Sequence, residues 1–127
     1  MTMKARDFNE ETGLDFRGFV DGYYVIDLAI EPRHYNVMGF VHGGVVCTLL
    51  DTAMARSFFY SQSQEARKGA TLEMKVNFLR SSNAGKITAY GKLVQATKQT
   101  AYVEGHLENE AGQLLAKASA TMMLFEK

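Results

Sequence analysis

The sequence predicts an α+β fold in which one long central helix is wrapped by an antiparallel sheet of about five to six strands. Three observations carry this. The run that follows His42-Gly43-Gly44 places Val45, Val46, Leu49, Leu50, Ala53, Met54 and Phe58 so that almost no polar face is left through three turns. That is the pattern of a buried helix. Two strand-like segments precede the run and four follow it, with no alternation of strands and helices, which excludes the βαβ units of a parallel sheet. A buried helix and one-sided strands satisfy each other when the sheet closes over the helix.

The elements follow in order. Lys4 to Gly13 is polar and closes on a glycine, the mark of a short helix or an irregular lead-in. Leu14 to Val20 reads as a first strand, Asp21-Gly22 as a hairpin turn, and Tyr23 to Ile30 as a second strand that Glu31-Pro32 ends. Arg33 to Val41 has no period and contains Asn36 and Gly39, so it is a loop delivering the chain to the helix, expected from about Gly43 to Ser61. Gln62 to Gly69 is a polar exit loop. Thr71 to Phe78 alternates, which puts Leu72, Met74, Val76 and Phe78 on one face. Lys86 to Ala96, Thr100 to Asn109 and Gln113 to Phe125 complete the strands, with turns at Ser81 to Gly85, Thr97 to Gln99 and Glu110 to Gly112. No linker or repeat interrupts residues 1–127, so a single domain is expected.

Composition removes several function classes. Fourteen basic and fourteen acidic side chains balance, and no basic block occurs, which argues against nucleic acid and anionic membrane as partners. One cysteine, Cys47, excludes an internal disulfide framework, and its place in the apolar run reads as a small core residue. No run reaches the length of a membrane span and no apolar leader opens the chain, so a cytoplasmic location is expected. His34, His42 and His106 lie apart, and no His, Cys or acidic pair has metal-ligand spacing; no metal and no redox cofactor are expected.

The helix start carries the chemistry. Its first N–H groups lack intrahelical partners and hold the positive end of the helix dipole, and glycine at Gly43 and Gly44 leaves them open to a carbonyl oxygen. Asp51 is the one carboxylate in the apolar run and needs a partner or a task. Arg56, five residues on, is off the favourable spacing. Gly43 and Asp51 are separated by roughly 12 Å along the axis, too far for one small carbonyl to touch both. A second helix related by a two-fold axis would bring one subunit's Asp51 to the other's Gly43, so the motif predicts a dimer with shared sites.

Asn36-x-x-Gly39-x-x-His42-Gly43-Gly44 with Asp51 seven residues later resembles the phenylacetate-degradation branch of the hotdog-fold acyl-CoA thioesterases. Thr71-Leu72-Glu73-Met74-Lys75-Val76-Asn77-Phe78-Leu79-Arg80 resembles that family's strand after the helix, and Gly112 to Ala118 its last strand pair; the resemblance runs from about Gly22 to Leu124. It implies a hotdog fold and hydrolysis of an acyl-CoA substrate, with an aryl or short- to medium-chain acyl group, by a homo-oligomer. A dimer is the minimum, and a dimer of dimers the expected tetramer. It implies that the Gly43 N–H stabilises the oxyanion, that Asp51 acts as general base or as nucleophile, and that Asn36 holds substrate or water. By the same resemblance Thr71 touches that water, while His42 and Gly44 shape the turn or meet substrate. The coenzyme A arm would pass near Arg80 and Lys98. Apart from the resemblance, Phe58 and Phe59 are candidates to line an acyl pocket. The family often has proline after the strand's Arg, where this chain has Ser81.

Each residue also has a plainer reading. Gly43 and Gly44 suit any tight helix start, Arg80 and Lys98 any solvated surface, and Phe58, Phe59, Tyr35 and Tyr60 a core or an interface. There is no Gly-x-Ser-x-Gly elbow for a serine hydrolase. Tyr24 and Asp27 do not otherwise fit the branch that uses an N-terminal Asp, and the helix offers Asp51 where another branch uses Glu. The competing class is a non-catalytic protein that binds acyl-CoA or another small ligand on the same fold.

Overall fold

The computed structural model describes residues 5–61 and 68–125. Asp7 caps the short helix α1 (Phe8–Thr12) by a capping box with Glu10, and Gly13 ends it at φ 90°. Strands β1 (Asp15–Val20) and β2 (Tyr23–Ala29) form the hairpin expected at Asp21-Gly22, whose φ of 51° and 83° are the two positive values a type I′ turn requires. A 3₁₀ turn at Pro32–His34 leads through an irregular loop to α2 (Gly43–Phe59). Then come β3 (Lys68–Phe78), β4 (Lys86–Ala96), β5 (Thr100–Asn109) and β6 (Leu114–Phe125). The six strands make one antiparallel sheet in the order β1-β2-β4-β5-β6-β3, folded around α2 in the hotdog arrangement.

Most predicted boundaries agree to within one or two residues, and the differences have local causes. The helix stops at Phe59: Tyr60 closes the last regular bond, to the Arg56 carbonyl, and the Ser61 N–H takes the Phe58 carbonyl three residues back at 3.2 Å. Of the predicted exit loop, residues 62–67 lie outside the described residues, as does Lys4 of the lead-in, while Lys68 and Gly69 already belong to β3. The helix is not buried all round. Leu49, Leu50, Ala53, Met54 and Phe58 are sealed against the sheet, but Gly43, Cys47, Thr48, Asp51 and Ala55 are only half-buried, because one chain's sheet covers one face.

The strict alternation expected in β3 also fails. The register with β6 slips between Thr71 and Glu73, so a bulge at Leu72 interrupts the pleat. Met74 and Val76 face inward as expected, but Leu72 and Phe78 are more than half exposed, and Thr71 takes the inward position before the bulge. A carboxylate on α2 thereby gains a hydroxyl neighbour.

Helix and sheet meet over two glycines that pair across β4 and β5, Gly91 and Gly105. A Cβ on Gly91 would fall on the Ala53 carbonyl and 2.6 Å from Met54 N; one on Gly105 would sit 2.9 Å from Met54 Cγ. The sheet is bare there, and the middle of α2 rests directly on its backbone.

On the sheet's other face Asp27 is 4% exposed and accepts hydrogen bonds from Arg17 Nη1 and Thr88 Oγ1, each at 2.6 Å, with Lys86 Nζ 3.7 Å away. Burial alone would raise this carboxyl, yet the bonds from Thr88 and Arg17 and the charges of Lys86 and Arg17 hold it below its ordinary value. It is a structural carboxylate. A carboxyl lowered in the folded state stabilises the fold above its unfolded pKa and loses that contribution as pH falls through the folded value. Asp27→Asn is therefore expected to reduce Tm at pH 7 and to flatten its decline below about pH 4. Parallel thermal melts of the two proteins from pH 2 to 7 check this; unchanged acid limbs would refute it.

Candidate active site

His42 builds the start of α2. Its carbonyl accepts the N–H groups of Val45 (2.9 Å) and Val46 (3.3 Å), and its Nδ1 accepts the Gly44 N–H at 2.7 Å. A Cβ on Gly44 would stand 3.0 Å from that ring nitrogen, so the ring's capping position favours glycine there. Among the described residues the Gly43 N–H donates to no protein atom. Three of the first four amides are thus satisfied by one histidine, and the fourth, at the positive end of the helix, is left facing outward.

The preceding loop is shaped by Asn36. Its Oδ1 accepts the N–H groups of Met38 (2.9 Å) and Phe40 (3.2 Å), and its own N–H donates to the Phe40 carbonyl at 2.7 Å. With the acceptor engaged, the side-chain NH2 is the part left for a substrate or water. The loop is tied to the β3–β4 connection by Val41 N–H to the Ser82 carbonyl (2.9 Å) and by Tyr35 Oη to the Asn83 carbonyl (2.9 Å).

Beside Gly43 opens a cleft of about 300 Å3, lined by Val41, Val46, Phe78, Leu79, Arg80, Ser81 and Ser82 among others. The N–H groups of Leu79 and Arg80 both bind the Leu115 carbonyl, at 2.8 and 3.1 Å, and this fixes the segment that carries Arg80 into the cleft wall. Ser81 lines the same wall and Ser82 receives Val41, so this connection is held without a proline.

Two turns along the same helix Asp51 is half-buried, and the Thr71 hydroxyl donates to its Oδ1 at 2.6 Å. Arg56 turns away from it. Its guanidinium lies 3.6 Å from the Phe16 ring centroid and 4.6 Å from that of Tyr60, and donates to the Tyr24 hydroxyl at 3.0 Å. The helix thus supplies Asp51 with no cationic partner, in keeping with the spacing of Arg56. Cys47, one turn before Asp51, is half-buried; burial first, and the Asp51 charge second, push its thiol up. A thiol held protonated is a poor nucleophile.

The structure thus sorts the predicted residues. Gly43, Gly44, His42 and Arg80 gather at the start of α2, while Asp51 and Thr71 form a second group eight residues along the same helix. Lys98 sits in the β4–β5 turn. Arg80 follows the end of β3 where Phe78 pairs with Ala116, whereas the turn of Lys98 adjoins Thr100, which pairs with Met123. Seven residues of β6 separate these pairs, roughly 20 Å or more. A single phosphate cannot meet both cations within one chain. Phe58 needs correction as a pocket residue: it is fully buried in the core, one turn past Met54 on the sealed face of α2, and borders no cleft. Sequence reading also set His34 aside. It is 2% exposed, accepts the Glu31 N–H at Nδ1 (2.9 Å) and places Nε2 2.7 Å from the Thr12 carbonyl, anchoring α1. No spacing in the sequence joins His34 to Thr12.

Among the described residues no three His, Cys, Asp or Glu side chains converge on a common point, and no helix is long and apolar enough to cross a membrane. The comparisons with known proteins bear on the family and the fold. Acyl-coenzyme A thioesterase 13 of Homo sapiens is 25% identical over 126 residues, covering 95% of this chain and 87% of that protein. A conserved protein of Pseudomonas aeruginosa superposes with a TM-score of 0.87 at 26% identity, covering 95% of each chain. A variant of the phenylacetic acid degradation protein PaaI of Thermus thermophilus superposes with a TM-score of 0.80 at 24% identity, covering 91% of this chain and 96% of that one. The sequence profile of the thioesterase superfamily matches residues 38–116, more than half of the chain and the whole span from the Asn36 loop's tip through β5, and on that match this chain belongs to the thioesterase superfamily.

Proposed function

We propose that this protein hydrolyses acyl-CoA thioesters at sites shared between two copies of the chain, using the Gly43 N–H of one and Asp51 of the other. The observation that carries the reading is the amide at Gly43, the one of the first four N–H groups of α2 without a partner among the described residues, on the same helix as an acid held by Thr71. The chain's own topology supports the sharing. Gly43 lies beside Phe78, at one end of β3, and Asp51 beside Thr71, near the other. β3 is an edge strand with exposed Leu72 and Phe78, a row of unpaired backbone groups suited to a second strand. Antiparallel pairing of β3 with its copy, centred between Met74 and Lys75, sets Thr71 opposite Phe78 of the partner subunit. Asp51 then approaches Gly43 of the partner subunit, and Arg80 and Lys98 of different chains come to one side.

The chemistry needs no metal or redox cofactor. The thioester carbonyl oxygen accepts the Gly43 N–H, and charge developing on it is stabilised by that donor and the helix dipole. As general base, Asp51 takes a proton from water, whose oxygen bonds to the carbonyl carbon. Collapse breaks the C–S bond and releases coenzyme A thiolate, which takes up the proton, leaving the free acid. As nucleophile, an Asp51 carboxylate oxygen would instead bond to the carbonyl carbon as the C–S bond breaks and thiolate leaves, and water would then open the mixed anhydride at the Asp51 carbonyl carbon. One turnover in H2-18O separates the routes, since only the second puts a carboxylate oxygen of Asp51 into the first product. In this reading the Asn36 NH2, whose Oδ1 is engaged by Met38 and Phe40, serves as a donor to substrate or water.

Thiol release measured across aryl, short-chain and longer acyl-CoAs tests the reading. Saturable binding with no thiol released from any of them would favour the non-catalytic binder instead. Thr71 acts by holding the Asp51 carboxylate. Thr71→Val is expected to lower kcat about 10- to 100-fold, the equivalent of one hydrogen bond to a charged group, with Thr71→Ser restoring most of it. Equal activity of Val and Ser variants would remove Thr71 from the site.

A further inference from the structure

A second cavity of about 360 Å3 lies on the other side of the α2 start, between α1 and the first two turns of α2. Phe8 and Thr12 line it from α1, and His42, Gly44, Val45 and Thr48 from the start of α2. Glu11, Arg33 and His34 complete the lining, with the Arg33 guanidinium tied to the Glu11 carbonyl and to Glu31, and the His34 ring to Glu31 and Thr12. We propose that this cavity takes the uncharged acyl chain of the thioester, with Phe8 as the residue that sets which chains fit. The inference rests on the acyl-CoA reading above and extends it to the acyl group.

A thioester carbon bonded to its oxygen carries two further arms, acyl and sulfur, which leave in different directions. With the oxygen on the Gly43 N–H, the chain offers two spaces: the cleft walled by Arg80, Ser81 and Ser82, and the cavity that begins at Gly44. The polyanionic coenzyme A arm suits the cationic, hydroxyl-bearing wall. The apolar arm is left with Phe8 and Val45. Thr48 adds no unsatisfied group, since its hydroxyl donates to the Gly44 carbonyl at 2.8 Å.

Helix α1 is anchored at one end and unpacked along its length. Its C-terminal carbonyls are held firmly, Glu11 by the Arg33 guanidinium and Thr12 by His34, which is itself buried. Yet none of its residues is buried, and Phe8 leaves 68% of its surface exposed. A five-residue helix has little stability of its own. Here it is docked by polar anchors over a void and not packed on the core, and its one large apolar side chain gains a partner when an acyl chain fills the space.

The test is kcat/KM by thiol release for saturated acyl-CoAs from two to sixteen carbons, plus phenylacetyl-CoA, for wild type and for Phe8→Ala, Phe8→Leu and Thr48→Met. Wild type is expected to gain about fourfold per added methylene until the cavity is filled. Phe8→Ala should flatten that slope, Phe8→Leu should leave an intermediate one, and Thr48→Met should cut the best long substrate at least tenfold while changing acetyl-CoA less than twofold. Phe8 is exposed, so its variants are expected to fold; unchanged Tm verifies it. Active wild type with profiles parallel across all variants would overturn the acyl assignment alone. A wild type that releases no thiol from any substrate would overturn the parent reading, and this one with it.

Discussion

Asp51→Asn is expected to abolish acyl-CoA hydrolysis, with turnover reduced by about 10²–10⁴ and both Tm and oligomeric state kept. Asn has the same shape and still accepts the Thr71 hydroxyl at its carbonyl oxygen, so the local packing survives while the base, or the nucleophile, is gone. The complementary variant is Gly43→Pro. Proline is favoured at the first position of a helix, where it only removes an N–H that has no intrahelical partner. His42, at φ −62° and ψ 138°, already has the extended backbone that precedes a proline, and a Cβ at Gly43 would meet Phe78 at an ordinary 3.5 Å. The fold is expected to tolerate the change, while loss of the one open donor lowers kcat about 10²–10³-fold.

Mixing the two inactive proteins after reversible dissociation then tests the shared site. A mixed dimer unites the intact Asp51 of one chain with the intact Gly43 of the other, so random pairing returns roughly a quarter of wild-type activity. No recovery on mixing, a monomer by sedimentation, or near wild-type turnover of Asp51→Asn would each defeat the proposed arrangement.

Gly91→Ala is expected to cost about 3 kcal/mol or more of stability, or to prevent folding. The added methyl group collides with the Ala53 carbonyl and Met54 N, which are backbone atoms of the central helix and cannot rotate aside. Relief requires α2 to lift from β4, opening the contacts of Leu49, Leu50 and Met54 together. Gly105→Ala is the informative comparison, because its nearest obstacle is the flexible Met54 side chain, with the Tyr90 carbonyl next at 3.0 Å; a smaller loss is expected. Urea unfolding of both variants measures the difference. Equal, small losses would mean that the helix does not rest on the sheet at that point.

Neither glycine announces this role in the sequence, where Gly91 and Gly105 are ordinary interruptions of two strand patterns. Element type and order, by contrast, were legible because they follow from local periodicity. The apolar run from Val45, the Asp21-Gly22 turn and the alternating strands each act over a few residues, and the predicted β4 and β5 ranges coincide with the observed ones. That Gly43 opens the helix and that Asp51 stands on it were legible for a related reason: a helix start and an acid within an apolar run are properties of one segment. Phe58 was misplaced because a helical pattern with almost no polar side does not say which flank the sheet seals.

By itself the sequence determined that a buried-type helix follows two strands and precedes four, and that an open amide and an acid stand eight residues apart on it. Tertiary structure alone decided how those groups are equipped. A slip of one residue between β3 and β6 turned Thr71 toward Asp51, the pairing of β4 with β5 brought two glycines under the helix, and His34 fastened α1 over a cavity that Gly44 lines. Each depends on the register between segments distant along the chain. Periodicity within one segment carries no record of that register; only packing the segments against each other sets it.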